Sequence, residues 1–278
     1  MKFDRMLFGT AGVPNSTEKK NSPVEGVVKV HQIGLDCMQL EFAHGVRMKE
    51  EMSSALRKIS YELKIPLTSH GPYYINLNAR EQDKIDSSVE RIIQTAKISD
   101  LCGAESMTFH AAFYMKDSPF DVFDLVEKSM TVIEERLSRL DIDIELRPEL
   151  TGKTSQFGSL EELISLSKSV NSVKPCIDFS HLYARTGEIN SYSEFVDVLK
   201  RLNLELGDDA ISNMHIHISG ISSNSKGDLK HLNLAQSSFN WKDLLKALKD
   251  LNCRGYMICN SPNLEKDAIM LKEHYLTL

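Results

Sequence analysis

Residues 176–181 read CIDFSH, a short apolar segment that ends in the carboxylate Asp178 and the imidazole His181. Short strand-like segments recur along the chain, and an amphipathic helical pattern follows each of them. Eight such strand-then-helix units make up the 278 residues. This alternation predicts an α/β protein that folds as a single (β/α)8 TIM barrel over residues 1–278. The strand-like segments lie near residues 5–12, 37–43, 65–71, 106–112, 143–150, 176–181, 212–220 and 255–262.

The alternative fold is an open, doubly wound sheet with helices on both faces. Such sheets often carry a glycine-rich phosphate-binding turn between a strand and a helix, and no GxGxxG or P-loop pattern occurs in this sequence. A barrel also explains why ionisable residues collect at the strand ends, because TIM-barrel active sites are built at the C-terminal ends of the strands. We therefore expect the barrel.

The composition is that of an ordinary globular protein, with 41% hydrophobic and 26% charged residues. The sequence has no secretory leader and no apolar run of about 18 residues, so we expect a cytoplasmic protein without membrane contact. Its five cysteines lack CxxC spacing and predict buried free thiols. The net charge of -6 gives no general attraction to nucleic acid, so DNA binding would require a local basic surface.

Ionisable residues at the predicted strand ends form the candidate site. Imidazoles and carboxylates are the ligands that zinc and similar divalent ions prefer. A single buried histidine is most often a hydrogen-bonded core residue. Six histidines and two carboxylates at one rim are harder to explain in this way, and they are more ligands than one tetrahedral metal site needs. The sequence therefore predicts a cluster of two or three metal ions. The candidate residues are His70, His110, Glu149, Asp178, His181, His215, His217 and His231.

Several segments resemble the signature segments of the endonuclease IV family, the metal-dependent apurinic/apyrimidinic endonucleases among the xylose isomerase-like TIM barrels. The resemblance extends through almost the whole chain, in the family's order. The segments are SHGPYYINL (69–77), PELTGKTSQFG (148–158), CIDFSH (176–181), MHIHISG (214–220), KHLNL (230–234) and NSPNLEKDA (260–268).

The resemblance implies a DNA-repair hydrolase that cleaves the phosphodiester 5′ to abasic sites in double-stranded DNA, and we expect it to act as a monomer. Arg47 lies where the family carries DNA-contacting residues. Tyr73 and Tyr74 match the family's wedge, which holds the abasic site open. A packing role at the rim is the alternative for these three residues.

The family pattern implies a zinc cofactor and assigns ligands to its first two ions. His70 and His110 would hold one zinc ion, and Glu149 would bridge it to a second. Asp178 and His215 would complete much of the second site. A hydroxide between the bridged ions would attack phosphorus, and a third ion would stabilise the leaving 3′ oxygen.

Other residues depart from the family pattern or extend it. His181 and His231 would hold the third ion, but the aspartate that normally precedes the last histidine is displaced to Asp228. Asn260 stands where the family has a glutamate ligand with a role in catalysis. Its carboxamide has no negative charge and takes no proton, so we expect low activity. His217 stands where the family has a polar amide, and both metal ligation and contact with a ligand are open for it.

Two further functions remain open at the level of sequence. One is a sugar isomerase or epimerase of the same superfold, which needs one or two metal ions. The other is a metal- and DNA-binding protein whose turnover is reduced by Asn260.

Overall fold

The computed structural model describes residues 3–19 and 21–278, apart from the side chains of Asp228 and Leu229. Ten strands and ten α-helices follow one another in this part of the chain. The strands are β1 (Met6–Ala11), β2 (Cys37–Glu41), β3 (Leu67–His70), β4 (Ala104–Phe109), β5 (Glu145–Pro148), β6 (Cys176–Asp178), β7 (Met214–Ile218), β8 (Gly220–Asn224), β9 (Gly227–Leu232) and β10 (Gly255–Cys259). The helices are α1 (Pro23–Gln32), α2 (Glu50–Leu63), α3 (Gln82–Leu101), α4 (Pro119–Arg139), α5 (Leu160–Ser169), α6 (Phe179–Thr186), α7 (Tyr192–Leu206), α8 (Asp209–Ser212), α9 (Trp241–Asp250) and α10 (Glu265–Thr277).

Eight of the strands form one parallel sheet in the order β5-β4-β3-β2-β1-β10-β7-β6. Backbone bridges join Leu146 to Val173 and Glu149 to Cys176, so the two edges of the sheet meet and close a barrel. The predicted TIM barrel is therefore confirmed, and the open sheet is excluded. Within the described residues, no helix combines the length and apolarity needed to cross a bilayer.

The core has two parts because the strands are covered on both faces, as parallel strands require. The larger part lies between the barrel and the surrounding helices. A small separate cluster, which includes Phe3, Cys37, Tyr256 and Ile258, fills part of the barrel interior. All five cysteines are buried and free, as the sequence predicts.

One element near the site differs from the sequence-based expectation. The strand-like segment predicted near 176–181 is shorter than expected, because β6 ends at Asp178 and α6 begins directly at Phe179. Asp178 caps this helix, since its Oδ1 accepts a hydrogen bond from the backbone N–H of His181 at 2.7 Å. The cap places His181 in the first helical turn, where its ring faces the barrel mouth.

A second difference follows β7, because two strands lie between residues 220 and 232, beyond the eight strand-like segments predicted from the sequence. The chain forms the antiparallel hairpin β8–β9, which carries His231 at the barrel mouth. Gly227 in this hairpin has a φ of 102°, and a Cβ there would stand 2.0 Å from the carbonyl oxygen of Gly152. The hairpin therefore packs backbone to backbone against the loop that follows β5.

Candidate metal centre

Strand alternation turns the ionisable residues of several strand ends toward the barrel interior. Pairing of β6 with β7 sets Asp178 beside His217 and Cys176 beside His215. Glu149 belongs to two groups of residues whose ligand atoms all lie within 4.8 Å of one another. These groups are His70, His110 and Glu149, and Glu149, Asp178 and His181.

Glu149 occupies the centre of these residues, and only 2% of it is exposed. Its Oε2 lies 3.0 Å from His70 Nε2 and 3.4 Å from His110 Nε2. Its Oε1 lies 3.1 Å from His217 Nδ1 and 3.4 Å from His181 Nδ1. Each carboxylate oxygen thus faces its own pair of imidazoles, which is the arrangement of a carboxylate that bridges two ions.

The contacts of His70 show that a positive charge belongs next to Glu149. His70 Nδ1 lies 2.7 Å from the carbonyl oxygen of Gly71, so this nitrogen carries a hydrogen and donates it. A neutral ring then directs the Nε2 lone pair at Glu149 Oε2, and the two repel unless a cation lies between them. A proton meets this need in the metal-free protein. Burial alone would lower the pKa of His70, but the hydrogen bond to Glu149 and the charge of Glu41 raise it to about 9.

His181 and His231 face each other with nitrogens that could both bind a metal ion. His181 Nδ1 lies 3.0 Å from the carbonyl oxygen of Leu150, and His231 Nδ1 lies 3.2 Å from that of Asn260. Because each Nδ1 donates to a carbonyl, both Nε2 lone pairs point into the same space, where the two Nε2 atoms are 3.3 Å apart. Burial and the neighbouring His181 lower the pKa of His231, so protonation of this ring is unfavourable. A metal ion would satisfy both nitrogens.

Two buried oxygens are further candidate metal ligands. Among the described residues, Asp178 Oδ2 and Asn260 Oδ1 have no hydrogen-bond partner. His181 Nδ1 lies 3.5 Å from Asp178 Oδ2, but that nitrogen donates to Leu150 instead. Buried oxygens of native proteins are nearly always satisfied, so these two atoms fit a cation as their partner. The residues present therefore suit a centre of divalent metal ions.

His215, one of the sequence-predicted ligands, lies deeper in the barrel than Glu149. Its Nε2 lies 3.2 Å from Gln39 Oε1 and its Nδ1 lies 3.1 Å from Ser106 Oγ. Burial, His217 and Arg147 hold the pKa of His215 well below its usual range, so the ring is neutral. Cys176, His215 and His217 form a third group of nearby ligand atoms, but both nitrogens of His215 are engaged in hydrogen bonds. The structure thus brings His217, rather than His215, to Glu149.

The mouth of the barrel is an open cavity of about 620 Å³ above these residues. Tyr73 and Lys153 line it, and Tyr73 is 56% exposed with its ring centroid 5.3 Å from that of His70. Tyr74 is 49% exposed and stacks under the Arg91 guanidinium. Arg47 is exposed in the loop between β2 and α2. The mouth therefore offers the ring of Tyr73 and the positive charge of Lys153 around the candidate metal ligands.

The side chain of the predicted ligand Asp228 lies outside the described part of the chain, although its backbone pairs with Ser223 in the hairpin. The sequence analysis did not single out Gln39 and Glu41, which also line the cavity. The sequence could have identified them, because alternation along the strand CMQLE turns both residues toward the barrel interior together with Cys37.

Two curated relatives match most of the chain. An uncharacterized protein of Methanocaldococcus jannaschii is 43% identical over 271 residues, which cover 97% of each protein. A probable endonuclease 4 of Aster yellows witches'-broom phytoplasma is 25% identical over 213 residues, or 75% of this chain and 70% of that protein. The resemblance to endonuclease IV predicted from the sequence thus has a counterpart among curated relatives.

Solved structures share the fold. Endonuclease IV from Thermus thermophilus superposes with a TM-score of 0.74 at 20% identity, over 98% of this chain and 99% of that chain. A D-tagatose 3-epimerase-like protein superposes with a TM-score of 0.71 at 16% identity, over 98% and 97%. At such identities these matches show the fold alone. The sequence model of one family matches residues 27–274, and the chain belongs to that family, the xylose isomerase-like TIM barrels.

Proposed function

We propose that this chain is a metal-dependent DNA-repair endonuclease that cleaves the phosphodiester 5′ to abasic sites in double-stranded DNA. The observation that carries the proposal is the position of Glu149, whose two oxygens face different pairs of imidazoles. This arrangement suits several ions around one bridging carboxylate. Clustered ions promote phosphodiester cleavage because they activate the attacking water and stabilise the leaving oxygen.

We infer that the cofactor is zinc, with two or three ions per chain. Two nitrogen ligands of one tetrahedral zinc ion stand about 3.3 Å apart, given Zn–N bonds of roughly 2.0–2.1 Å. The Nε2 atoms of His181 and His231 have this separation. Asp228 remains a predicted ligand, and we assign His217 the place predicted for His215. The assigned ligands are His70, His110, Glu149, Asp178, His181, His217 and His231.

Residues of the barrel mouth would bind and orient the DNA. The exposed rings of Tyr73 and Tyr74 offer faces that can occupy the space left by a missing base. Arg47 and Lys153 supply positive charge for phosphates on a protein whose net charge is -6. Such an enzyme would act as a monomer in the cytoplasm.

Metal analysis combined with a cleavage assay tests this proposal. Mass spectrometry should find two or three zinc ions per chain, and a duplex with one tetrahydrofuran abasic analogue should be cut on its 5′ side under single-turnover conditions. His231→Gln should lose an ion and the cleavage. The matched variant His31→Gln, at an exposed position of α1, should keep both. A chain with one ion that leaves this duplex intact would overturn the proposal.

A sugar epimerase or isomerase is the second candidate. Glu149, Asp178 and His217 alone would serve one ion, which can suffice for an enzyme of that class, and the fold matches an epimerase-like protein. The additional imidazoles of His181 and His231 favour the nuclease. One ion per chain together with epimerisation of a ketohexose would support the sugar enzyme. Tight binding of abasic duplex without any cleavage would support a binding protein with reduced turnover.

A further inference from the structure

Gln39 connects two buried histidines to a carboxylate at the cavity. It lies within β2 and is 1% exposed. Its Oε1 lies 2.9 Å from His217 Nε2 and 3.2 Å from His215 Nε2. Its Nε2 donates to Glu41 Oε1 at 2.8 Å. One side chain thus touches both imidazoles of β7 and the last residue of its own strand.

Glu41 decides which way the Gln39 amide points. A carboxylate only accepts hydrogen bonds, so the NH₂ group of Gln39 faces Glu41 and the carbonyl oxygen faces the two imidazoles. The opposite orientation would place two oxygens 2.8 Å apart. Because an amide oxygen only accepts, His215 and His217 must both carry their hydrogen on Nε2. Their Nδ1 atoms are then lone-pair donors.

The other contacts of these rings agree with this assignment. Ser106 Oγ lies 3.1 Å from His215 Nδ1 and can donate to it. The amide nitrogen of Asn260 lies 3.3 Å from His217 Nδ1 and can donate in the same way. His217 Nδ1 also lies 3.1 Å from Glu149 Oε1, where two electron-pair donors require a cation between them. The network therefore has one consistent assignment of hydrogen-bond donors and acceptors, from Ser106 through Gln39 to Glu41.

We propose that Gln39, oriented by Glu41, is a positioning residue that fixes His217 in the Nε2–H form and aims its Nδ1 lone pair at the metal centre. The inference rests on the proposed metal centre, but not on the identity of its substrate. Hydrogen-bond partners that orient a ligating histidine typically contribute about 10–100-fold to metal affinity. Loss of this partner should therefore weaken the ion next to Glu149 Oε1 by at least tenfold.

Nitrogen NMR of the metal-free protein tests the assignment directly. In chelator-treated protein with ¹⁵N-labelled histidine, long-range proton–nitrogen spectra should show His217 and His215 protonated at Nε2. Glu41→Gln, at the surface of the cavity, removes the group that orients the amide. His217 should then populate both tautomers, and zinc affinity measured by chelator competition should fall at least tenfold. Ser106→Ala, which removes only the contact to His215 Nδ1, should leave the form of His217 unchanged.

A double exchange separates orientation from packing. Gln39→Glu combined with Glu41→Gln reverses the pair, so that a carboxylate accepts from both imidazoles and an amide donates to it. This variant should restore the Nε2–H form of His217 and most of the zinc affinity that Glu41→Gln loses. Wild-type His217 that carries no hydrogen on Nε2, or a Glu41→Gln protein with unchanged tautomer and affinity, would overturn the proposal. These readouts use no DNA, so a protein that passes them without cleaving abasic duplex contradicts only the nuclease proposal.

Discussion

The negative charge of Glu149 lies between the two groups of imidazoles in the candidate metal centre. Burial alone would raise its pKa, but His217 and His110 hold the pKa of Glu149 well below its usual range, so it remains an anion. Glu149→Gln keeps the shape and removes the charge. We expect the variant to release at least one ion, measured by mass spectrometry, and to lose cleavage. Glu188→Gln, at an exposed position, is the matched control. A variant with its full metal load and activity would show that Glu149 is not a bridge.

Asn260 is the residue at which activity should be gained. Its Oδ1 has no hydrogen-bond partner among the described residues, and its Nδ2 lies 3.3 Å from His217 Nδ1. A longer acidic side chain at this position would therefore reach the candidate metal-ligand atoms around His217. Asn260→Glu adds an anionic ligand and a proton acceptor. We expect abasic-site incision to rise tenfold or more, which corresponds to about 1.4 kcal/mol of transition-state stabilisation.

Single-turnover incision under saturating zinc measures this gain. Asn260→Gln is the matched control because it adds the same length without the charge, and its rate should stay near that of the unchanged chain. Equal rates for the Asn, Gln and Glu forms would mean that position 260 does not support the chemistry.

Helix α6 holds the loop after β5 at the cavity through Arg185. Its Nη1 donates to the carbonyl oxygens of Thr151, Lys153 and Gln156 at 3.2, 2.7 and 3.1 Å. Arg185→Leu leaves these carbonyls without their donor and should cost about 1–3 kcal/mol in the free energy of unfolding. Urea denaturation measures the cost, and hydrogen exchange should rise in residues 151–158. Arg185→Lys should recover only part of the loss, because lysine keeps the positive charge but has a shorter side chain with a single nitrogen. Unchanged exchange in this loop would show that Arg185 does not brace it.

The barrel strands could be predicted because each combines a buried apolar run with a helical pattern that follows it. Helix α6 could not, because its eight residues are short for an amphipathic pattern and depend on the cap from Asp178. Hairpin β8–β9 is polar on its surface and depends on backbone contact between Gly227 and Gly152. The sequence predicts which ionisable residues lie at the strand ends, but not how deep in the barrel each of them lies. Strand alternation gives His215 and His217 the same face, and only the register with β6 shows that His217 stands level with Asp178.

Asp36 ties the two ends of the chain onto the barrel. It accepts hydrogen bonds from Arg5, at the start of β1, at 2.8 Å and from Lys272 of α10 at 2.7 Å. Burial alone would raise the pKa of Asp36, but these cations and the backbone N–H of Phe8 lower it. A folded-state pKa below the unfolded value of about 3.9 means that the stabilisation is present above about pH 4 and is lost as the pH falls through the folded pKa.

Asp36→Asn should therefore lower the free energy of unfolding by roughly 2 kcal/mol near pH 7, because the amide oxygen of Asn still accepts a hydrogen bond but the charge that attracts both cations is lost. The difference from the unchanged protein should shrink steadily below about pH 4 in urea denaturation. Asp250→Asn, at an exposed i,i+4 pair with Lys246, should show only a small difference at any pH. A difference for Asp36→Asn that does not vary with pH would contradict the assigned ion pairs.

The charge of the whole molecule constrains how it can bind DNA. A protein with a net charge of -6 must attract phosphates through a local surface, so affinity for abasic duplex should fall steeply as salt rises. Each lost phosphate contact lowers the slope of log affinity against log salt by about one. Arg47→Gln should show this change in fluorescence-anisotropy titrations at several salt concentrations.

Arg139→Gln is the matched control, because it removes the same charge at the C-terminal end of α4. Helices of a (β/α)8 barrel run opposite to its strands, so this position lies at the rim away from the candidate metal ligands. Its slope should equal that of the unchanged protein. Both proteins should bind undamaged duplex more weakly than abasic duplex, because Tyr73 and Tyr74 gain their contacts only where a base is missing. Identical slopes for the two arginine variants, or equal affinity for damaged and undamaged duplex, would place the DNA on another surface or exclude it as the ligand.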